Sequence, residues 1–293
     1  MISIGMIGFG EAAYYITCGI KHDCVKLLAY DVAASQNDER AMLLEKRAAD
    51  NDVYLVANLA ELFEKSDIIF CMTSADSALP IAKQAAPLLK KGQIYVDLNS
   101  TSPETKKQID EELSTQSEGM FVEAAIMSSV PANKSRVPVL LCGKCADTVV
   151  KAVTDVGMNF SKLSDQIGAA SAMKMIKSVL FKGFIALLTE TVFAADRYGI
   201  TEKTLAAFKS IMSEEMTFEE CCNYFLCTGA THCERLEHEE EEVTKTLQAL
   251  GENTIMTCAA AKKFQWLVEK GFHSAFSVRP QNYETILEYK RTL

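Results

Sequence analysis

An α/β fold, with a doubly wound parallel sheet followed by an all-helical domain, is predicted by three observations. Short apolar runs alternate with amphipathic stretches from the first residues to about residue 160. After about residue 162 the alternation stops, and almost everything that follows is helix-compatible. The first apolar run leads into a glycine-rich turn, Gly8-Phe9-Gly10-Glu11-Ala12-Ala13. Alternating β and α units of this length imply a parallel sheet with helices on its faces. The division expected is therefore 1–162 and 163–293, in keeping with roughly 100–200 residues per domain.

The first strand is expected at 2–7, Ile2-Ser3-Ile4-Gly5-Met6-Ile7, with a helix over 10–22. A second strand, 25–30, ends in Tyr30-Asp31. Strand, G-x-G-x-x-A turn, helix and an acid about 20 positions on form the fingerprint of a dinucleotide-binding βαβ unit, the Rossmann arrangement. Gly8 allows the tight turn, Gly10 lets backbone N–H groups approach a pyrophosphate, and Ala13 lets the helix pack on its strand. The helix opening favours the anion through its N–H groups and dipole. Gly8, Phe9, Gly10, Glu11 and Ala12 are thus the expected cofactor cradle. Asp31 is placed to accept hydrogen bonds from a ribose 2′-hydroxyl and to repel a 2′-phosphate. Val32-Ala33-Ala34-Ser35-Gln36-Asn37 offers no basic residue to such a phosphate, and Arg40 is the first cation after it. NAD is the expected cofactor, with NADP second.

Further strands are expected at 53–57, 67–72, 93–97, 119–126 and 137–142, and helices at 38–50, 58–65, 75–89 and 103–115. Pro80 and Pro103 fall near helix starts, where a missing N–H costs little. From 165 to 198 the sequence is apolar and helical nearly all round, which predicts a long central helix buried on several sides and stopped by Gly199. Helices at 201–214, 217–227, 231–250 and 253–270 complete the second domain.

A net charge of −9 argues against nucleic acid as a partner, because phosphate binding needs a basic face. No uninterrupted apolar stretch reaches the ~18 residues of a membrane span, and no secretory leader or transit peptide is visible. A cytoplasmic protein is expected. Ten cysteines scattered through apolar segments read as small buried hydrophobes in a reducing compartment. Cys142-Gly143-Lys144-Cys145 is a C-x-x-C, but no second pair completes a metal set. His232 and His238 are not on one helix face, so no metal is expected.

Within the central apolar helix the conspicuous polar residues are Lys174, Lys177 and Ser178, at i, i+3 and i+4 on one face. Desolvation and a second ammonium one turn away both lower a lysine pKa, which suits a group that exchanges a proton with a substrate hydroxyl. The alternative is two lysines snorkelling to solvent.

The chain resembles the β-hydroxyacid dehydrogenase superfamily, which includes 3-hydroxyisobutyrate and 6-phosphogluconate dehydrogenases. The likeness rests on the dinucleotide turn, on Asp97-Leu98-Asn99-Ser100-Thr101-Ser102-Pro103 for D-x-S-T-x-x-P, and on the helix motif G-x-G-x-x-x-K-x-x-N-N. That motif corresponds to Gly168 through Ser178. The resemblance implies that Lys174 is the general acid/base, that Thr73, Ser74 and Asn99 flank the nicotinamide, and that Glu190 matches a recurrent glutamate of the same helix. The substrate segment D-A-P-V-S-G-G corresponds to Glu123-Ala124-Ala125-Ile126-Met127-Ser128-Ser129, so Met127 replaces the substrate-orienting serine and Lys177 an asparagine. Ser128, Ser129, Lys177 and Ser178 are then the expected contacts to a small anionic hydroxy acid or sugar acid. His232-Cys233-Glu234-Arg235 resembles a branch of phosphogluconate-dehydrogenase-like NAD-binding proteins, in which Arg235 reads as half of a surface ion pair. The reaction expected is hydride transfer between nicotinamide and a hydroxyl-bearing carbon. An imine reductase of similar fold and a non-catalytic NAD-sensing protein are the alternatives, and a homodimer through the helical domain is implied.

Overall fold

The computed structural model describes residues 2–20, 22–36, 38–211 and 217–293. The chain divides into two compact units, Met1–Ser178 and Val179–Leu293. The division thus falls inside the long helix, whereas the sequence places a boundary before it.

The first unit runs β1 (Ile2–Ile7), α1 (Glu11–Thr17), β2 (Val25–Tyr30), α2 (Glu39–Asp50), β3 (Val53–Leu55), α3 (Leu59–Glu64), β4 (Ile68–Cys71), α4 (Ala78–Ala85), β5 (Ile94–Asp97), α5 (Pro103–Gln116), β6 (Met120–Ile126), α6 (Val130–Asn133), β7 (Val139–Cys142), α7 (Ala146–Thr154) and β8 (Phe160–Ser164). Among the described residues these strands form one eight-stranded sheet in the order β3-β2-β1-β4-β5-β6-β7-β8. Successive strand residues face opposite sides. Ile4, Met6, Leu27, Ile68, Phe70 and Val96 therefore build the core on one face, and Ile7, Leu28, Ile69 and Tyr95 build it on the other.

The pairings from β3 to β6 are parallel, but β7 runs antiparallel to β6, and β8 is parallel to β7. The sheet is thus mostly parallel, as expected, with one antiparallel step at β6–β7. The β6–β7 connection holds only the single-turn α6 and a 3-10 turn, too little for the helical crossover that parallel neighbours need. β8 is a strand that apolar runs miss, because in Phe160-Ser161-Lys162-Leu163-Ser164 the leucine is exposed and two serines and a lysine intervene. The first helix ends earlier than expected, at Thr17, because the chain turns at Gly19, with φ +88°.

α8 (Ala169–Arg197) is followed by α9 (Thr201–Ile211), α10 (Phe218–Ala249), α11 (Ile255–Glu269), α12 (Phe272–Ala275) and α13 (Glu284–Arg291). The end of the helix expected at 201–214 lies outside the described residues. The two helices expected at 217–227 and 231–250 meet end to end within α10, separated by a kink at His232, whose backbone is non-helical with φ −114° and ψ 19°. Arg235 does pair along its own helix, with Glu239 at 3.6 Å. Ala230 and Cys233 pack with Phe272 and Phe276, and Tyr289 meets Phe272 edge-on at 5.1 Å.

The largest departure from expectation concerns α8. Ile176, Val179 and Phe181 are 70%, 75% and 63% exposed, so this apolar helix stands open on more than one side where burial on several sides is expected. By length and composition α8 also suffices to cross a membrane, which a search for uninterrupted apolar runs overlooks because Lys174, Lys177 and Lys182 punctuate it.

Candidate active site

At the carboxyl end of β1 the chain leaves the sheet through Gly8, whose φ of +86° and contact with β4 both require glycine. A Cβ there would stand 2.6 Å from the Met72 carbonyl oxygen. Gly10 caps α1 with no side-chain bond, and a Cβ on it would meet nothing within 4 Å among the described residues. The space above Gly10 is therefore left free by the protein itself, as a pyrophosphate approaching the backbone needs. Glu11 and Ala12 stand exposed in the first turn, while Phe9 is buried and Ala13 packs into the core. Asp31 closes the loop: its Oδ2 accepts the Phe9 N–H and its Oδ1 the Ala33 N–H, each at 2.9 Å. A carboxylate has further acceptor sites, so hydroxyl groups of a ribose can still be bound there.

β2 lies on one side of β1, and β4 and then β5 lie on the other. A dinucleotide anchored at Gly8–Gly10 with its adenosine toward Asp31 must extend its second half over the ends of β4 and β5. There the Thr73 N–H donates to Asn99 Oδ1 at 2.6 Å. Ser74 is exposed and shares its hydroxyl with Ser77 at 2.8 Å. The Asn99 amide donates to Asp97 Oδ1 and, at 3.2 Å, to Cys71 Sγ. Burial, then the Asp97 charge, push that thiol up to about 11, so it stays neutral.

Sequence reading missed Lys106, which is fully buried and donates to Asp97 Oδ2 at 2.7 Å. The signal was present, because Lys106, Ile109 and Leu113 form the buried stripe of α5, and a lysine on such a stripe must have a partner. In the sequence Glu123 on β6 figures only as a motif position. It is fully buried and takes the N–H groups of Gly168 and Ser171. One carboxylate thus satisfies two of the open donors at the start of α8 and complements its dipole.

α8 then carries Lys174 and Lys177 past the end of β6. Lys177 Nζ donates to the Met127 carbonyl at 2.8 Å, which brings it beside Ser128 and Ser129, both exposed. Asn133 donates to Ser128 Oγ at 3.3 Å and to the Ser129 carbonyl at 2.8 Å, so α6 fixes that turn. Lys174 is half-buried one turn earlier on the same face. Ser178 gives its hydroxyl proton to the Lys174 carbonyl at 3.1 Å, an intrahelical bond. All the expected site residues belong to the first unit.

In the second unit, Glu190 accepts from the Met256 and Thr257 N–H groups, each at 3.0 Å, and from the Thr257 hydroxyl. It caps α11 from a neighbouring helix. Desolvation raises its pKa, but these hydrogen bonds outweigh it and hold the carboxyl below its ordinary value.

Residues 3–164 match the family of the NAD-binding domain of 6-phosphogluconate dehydrogenase. A glyoxylate/succinic semialdehyde reductase 1 of Arabidopsis thaliana is 24% identical over 70% of both chains. A conserved protein described as structurally similar to 3-hydroxyacid dehydrogenases is 26% identical, with TM-score 0.62, over 92% of this chain and 97% of its own. An imine reductase of Myxococcus stipitatus in complex with NADP+ has TM-score 0.70 at 14% identity, over 92% of this chain and 96% of its own. The last is a likeness of fold.

Proposed function

The chain belongs to the family of the NAD-binding domain of 6-phosphogluconate dehydrogenase, and from that premise we propose that it is a nicotinamide-dependent oxidoreductase acting on small anionic hydroxy acids. The observation that carries the reading is the 2.8 Å bond from Lys177 to the Met127 carbonyl. It seats the Lys174 face of α8 at the end of β6, one strand from the β5 end where Asn99 stands.

The nicotinamide, when bound, supplies the hydride acceptor or donor. Everything else falls to this chain. In oxidation Lys174 takes the hydroxyl proton on Nζ as the carbinol carbon loses hydride and becomes a carbonyl; in reduction it returns that proton to the carbonyl oxygen. Lys177, in place of an uncharged asparagine, offers a point charge to a carboxylate or phosphate. Ser128 and Ser129 supply hydroxyls where the motif this segment resembles has two glycines. The reductase from Arabidopsis thaliana is named for two aldehydes that bear a carboxylate, the product side of the same chemistry. Asp31, with no cation among the next five residues, supports NAD over NADP.

A membrane is a poor cover for the exposed face of α8, because Glu123 ties the start of that helix to the nucleotide unit. We therefore propose a homodimer in which a second copy covers it. The test of function is a dehydrogenase screen over 3-hydroxy acids, sugar acids and phosphorylated sugar acids, with glyoxylate and succinic semialdehyde run in the reductive direction. Turnover with NAD or NADH supports the reading. Cofactor binding with no turnover on any member favours a sensing protein.

A further inference from the structure

Lys106 is fully buried in α5, and the proton and hydride chemistry above gives it no task. Its ammonium donates to Asp97 Oδ2 at 2.7 Å, to the Asp97 carbonyl at 2.8 Å, to the Asn99 carbonyl at 2.9 Å and to the Ala124 carbonyl at 3.4 Å. Asp97 Oδ1 in turn holds the Asn99 amide, and Asn99 Oδ1 holds the Thr73 N–H. One cation therefore joins the ends of three adjacent strands, β4, β5 and β6.

A helix that had only to pack would place an apolar residue here, as it does with Ile109 and Leu113. A buried ion pair costs desolvation and is seldom a net gain in stability over apolar packing. What such a pair does supply is a single geometry, through directed bonds to fixed acceptors. Here the fixed acceptors are the turn at Asn99, where the nicotinamide half of a dinucleotide must lie, and Ala124, on the strand that ends in the substrate segment.

We propose that Lys106 is a positioning residue that sets the nicotinamide edge in register with the substrate edge, acting through Asp97, Asn99 and Thr73. It touches neither cofactor nor substrate. The proposal rests on the dinucleotide reading of the previous section. A displacement of about 1 Å between reacting groups is enough to cost two orders of magnitude in rate, which is why a register device has value at this place.

The test separates the two halves of the cofactor. ADP-ribose probes only the Gly8–Asp31 half, and NADH probes both, so their affinities are measured for the wild type and for Lys106→Met combined with Asp97→Asn. That pair of changes leaves no uncompensated buried charge. The expected result is ADP-ribose binding within about twofold of wild type and NADH binding weakened by about tenfold or more. Unchanged NADH binding overturns the proposal. Parallel loss of both ligands also overturns it, since that outcome assigns the pair to folding alone. A wild type that binds neither ligand overturns the dinucleotide reading, and this proposal with it.

Discussion

Asp97 and Glu123 are register partners on the adjacent parallel strands β5 and β6, both fully buried and each satisfied by a different set of donors. Asp97 faces the Lys106 ammonium, whereas Glu123 faces the N–H groups that open α8. The two carboxylates organise the two edges of the proposed site. One holds the turn at Asn99, and the other holds the helix that carries Lys174.

Glu123→Leu should destabilise the nucleotide unit by about 2–3 kcal/mol, since it strands two buried N–H groups that had a charged acceptor. Glu123→Gln should recover part of that loss. Thermal denaturation of both variants checks the order, and equal melting of Leu and Gln variants would contradict the capping role.

Lys177→Ala should raise KM for an anionic substrate about tenfold and leave kcat within a few-fold, because an interaction kept through the reaction is uniform binding. Steady-state kinetics on the best substrate of the screen reads this directly. A fall in kcat with KM unchanged would move Lys177 from binding to chemistry.

Asp31→Ser should weaken NADH binding by about tenfold while leaving or improving NADPH binding, as the carboxylate that repels a 2′-phosphate is removed. Titration of NADH fluorescence and NADPH fluorescence gives both constants. If the wild type already binds NADPH more tightly, the assignment of NAD is wrong.

The helical unit should show an opposed pair of acid titrations. Glu190 is held low, so its contribution is present above the ordinary glutamate pKa, about 4.3, and is lost as pH falls through its lower folded value. Burial, then the charges of Glu190 and Glu239, raise Glu240. Its protonated form therefore favours the fold, and that contribution is lost as pH rises from the ordinary value through the raised one. Glu240→Gln should raise Tm at neutral pH, and Glu190→Gln should lower it. Identical shifts in the two variants would rule out this arrangement.

Phe181→Asp, on the open face of α8, should turn a dimer into a monomer, because a charge on a buried apolar contact is costly. Light scattering at micromolar concentration reads the mass. A wild type that is already monomeric defeats the proposal of a second copy.

The nucleotide half of the candidate site could be proposed from sequence because its signals are local. Gly8, Gly10, Ala13 and Asp31 lie within one βαβ unit, and the turn chemistry of each is written in its neighbours. Lys174 and Lys177 were legible as polar interruptions in an apolar run. Glu123 was not, because its partners are fixed by where β6 meets the start of α8 rather than by chain proximity, whereas Lys106 left a local trace, a lysine on the buried stripe of α5 close in sequence to Asp97 and Asn99. β8 was missed because an edge strand of mixed polarity carries little periodicity, and the reversal of β7 because strand direction follows from the short connection before it rather than from its own apolar residues. The expected burial of α8 followed from composition, and composition does not say whether the cover comes from the same chain.

Lys174→Ala is the most direct test of the central claim that this lysine exchanges the proton with the substrate oxygen. Turnover is measured in both directions on the best substrate, beside NADH titration and thermal denaturation of the same preparation. If Lys174 exchanges the proton, NADH binding stays within about twofold of wild type, Tm is unchanged, and kcat falls about 100-fold or more. Near-wild-type turnover by a folded, NADH-binding Lys174→Ala protein would contradict that claim.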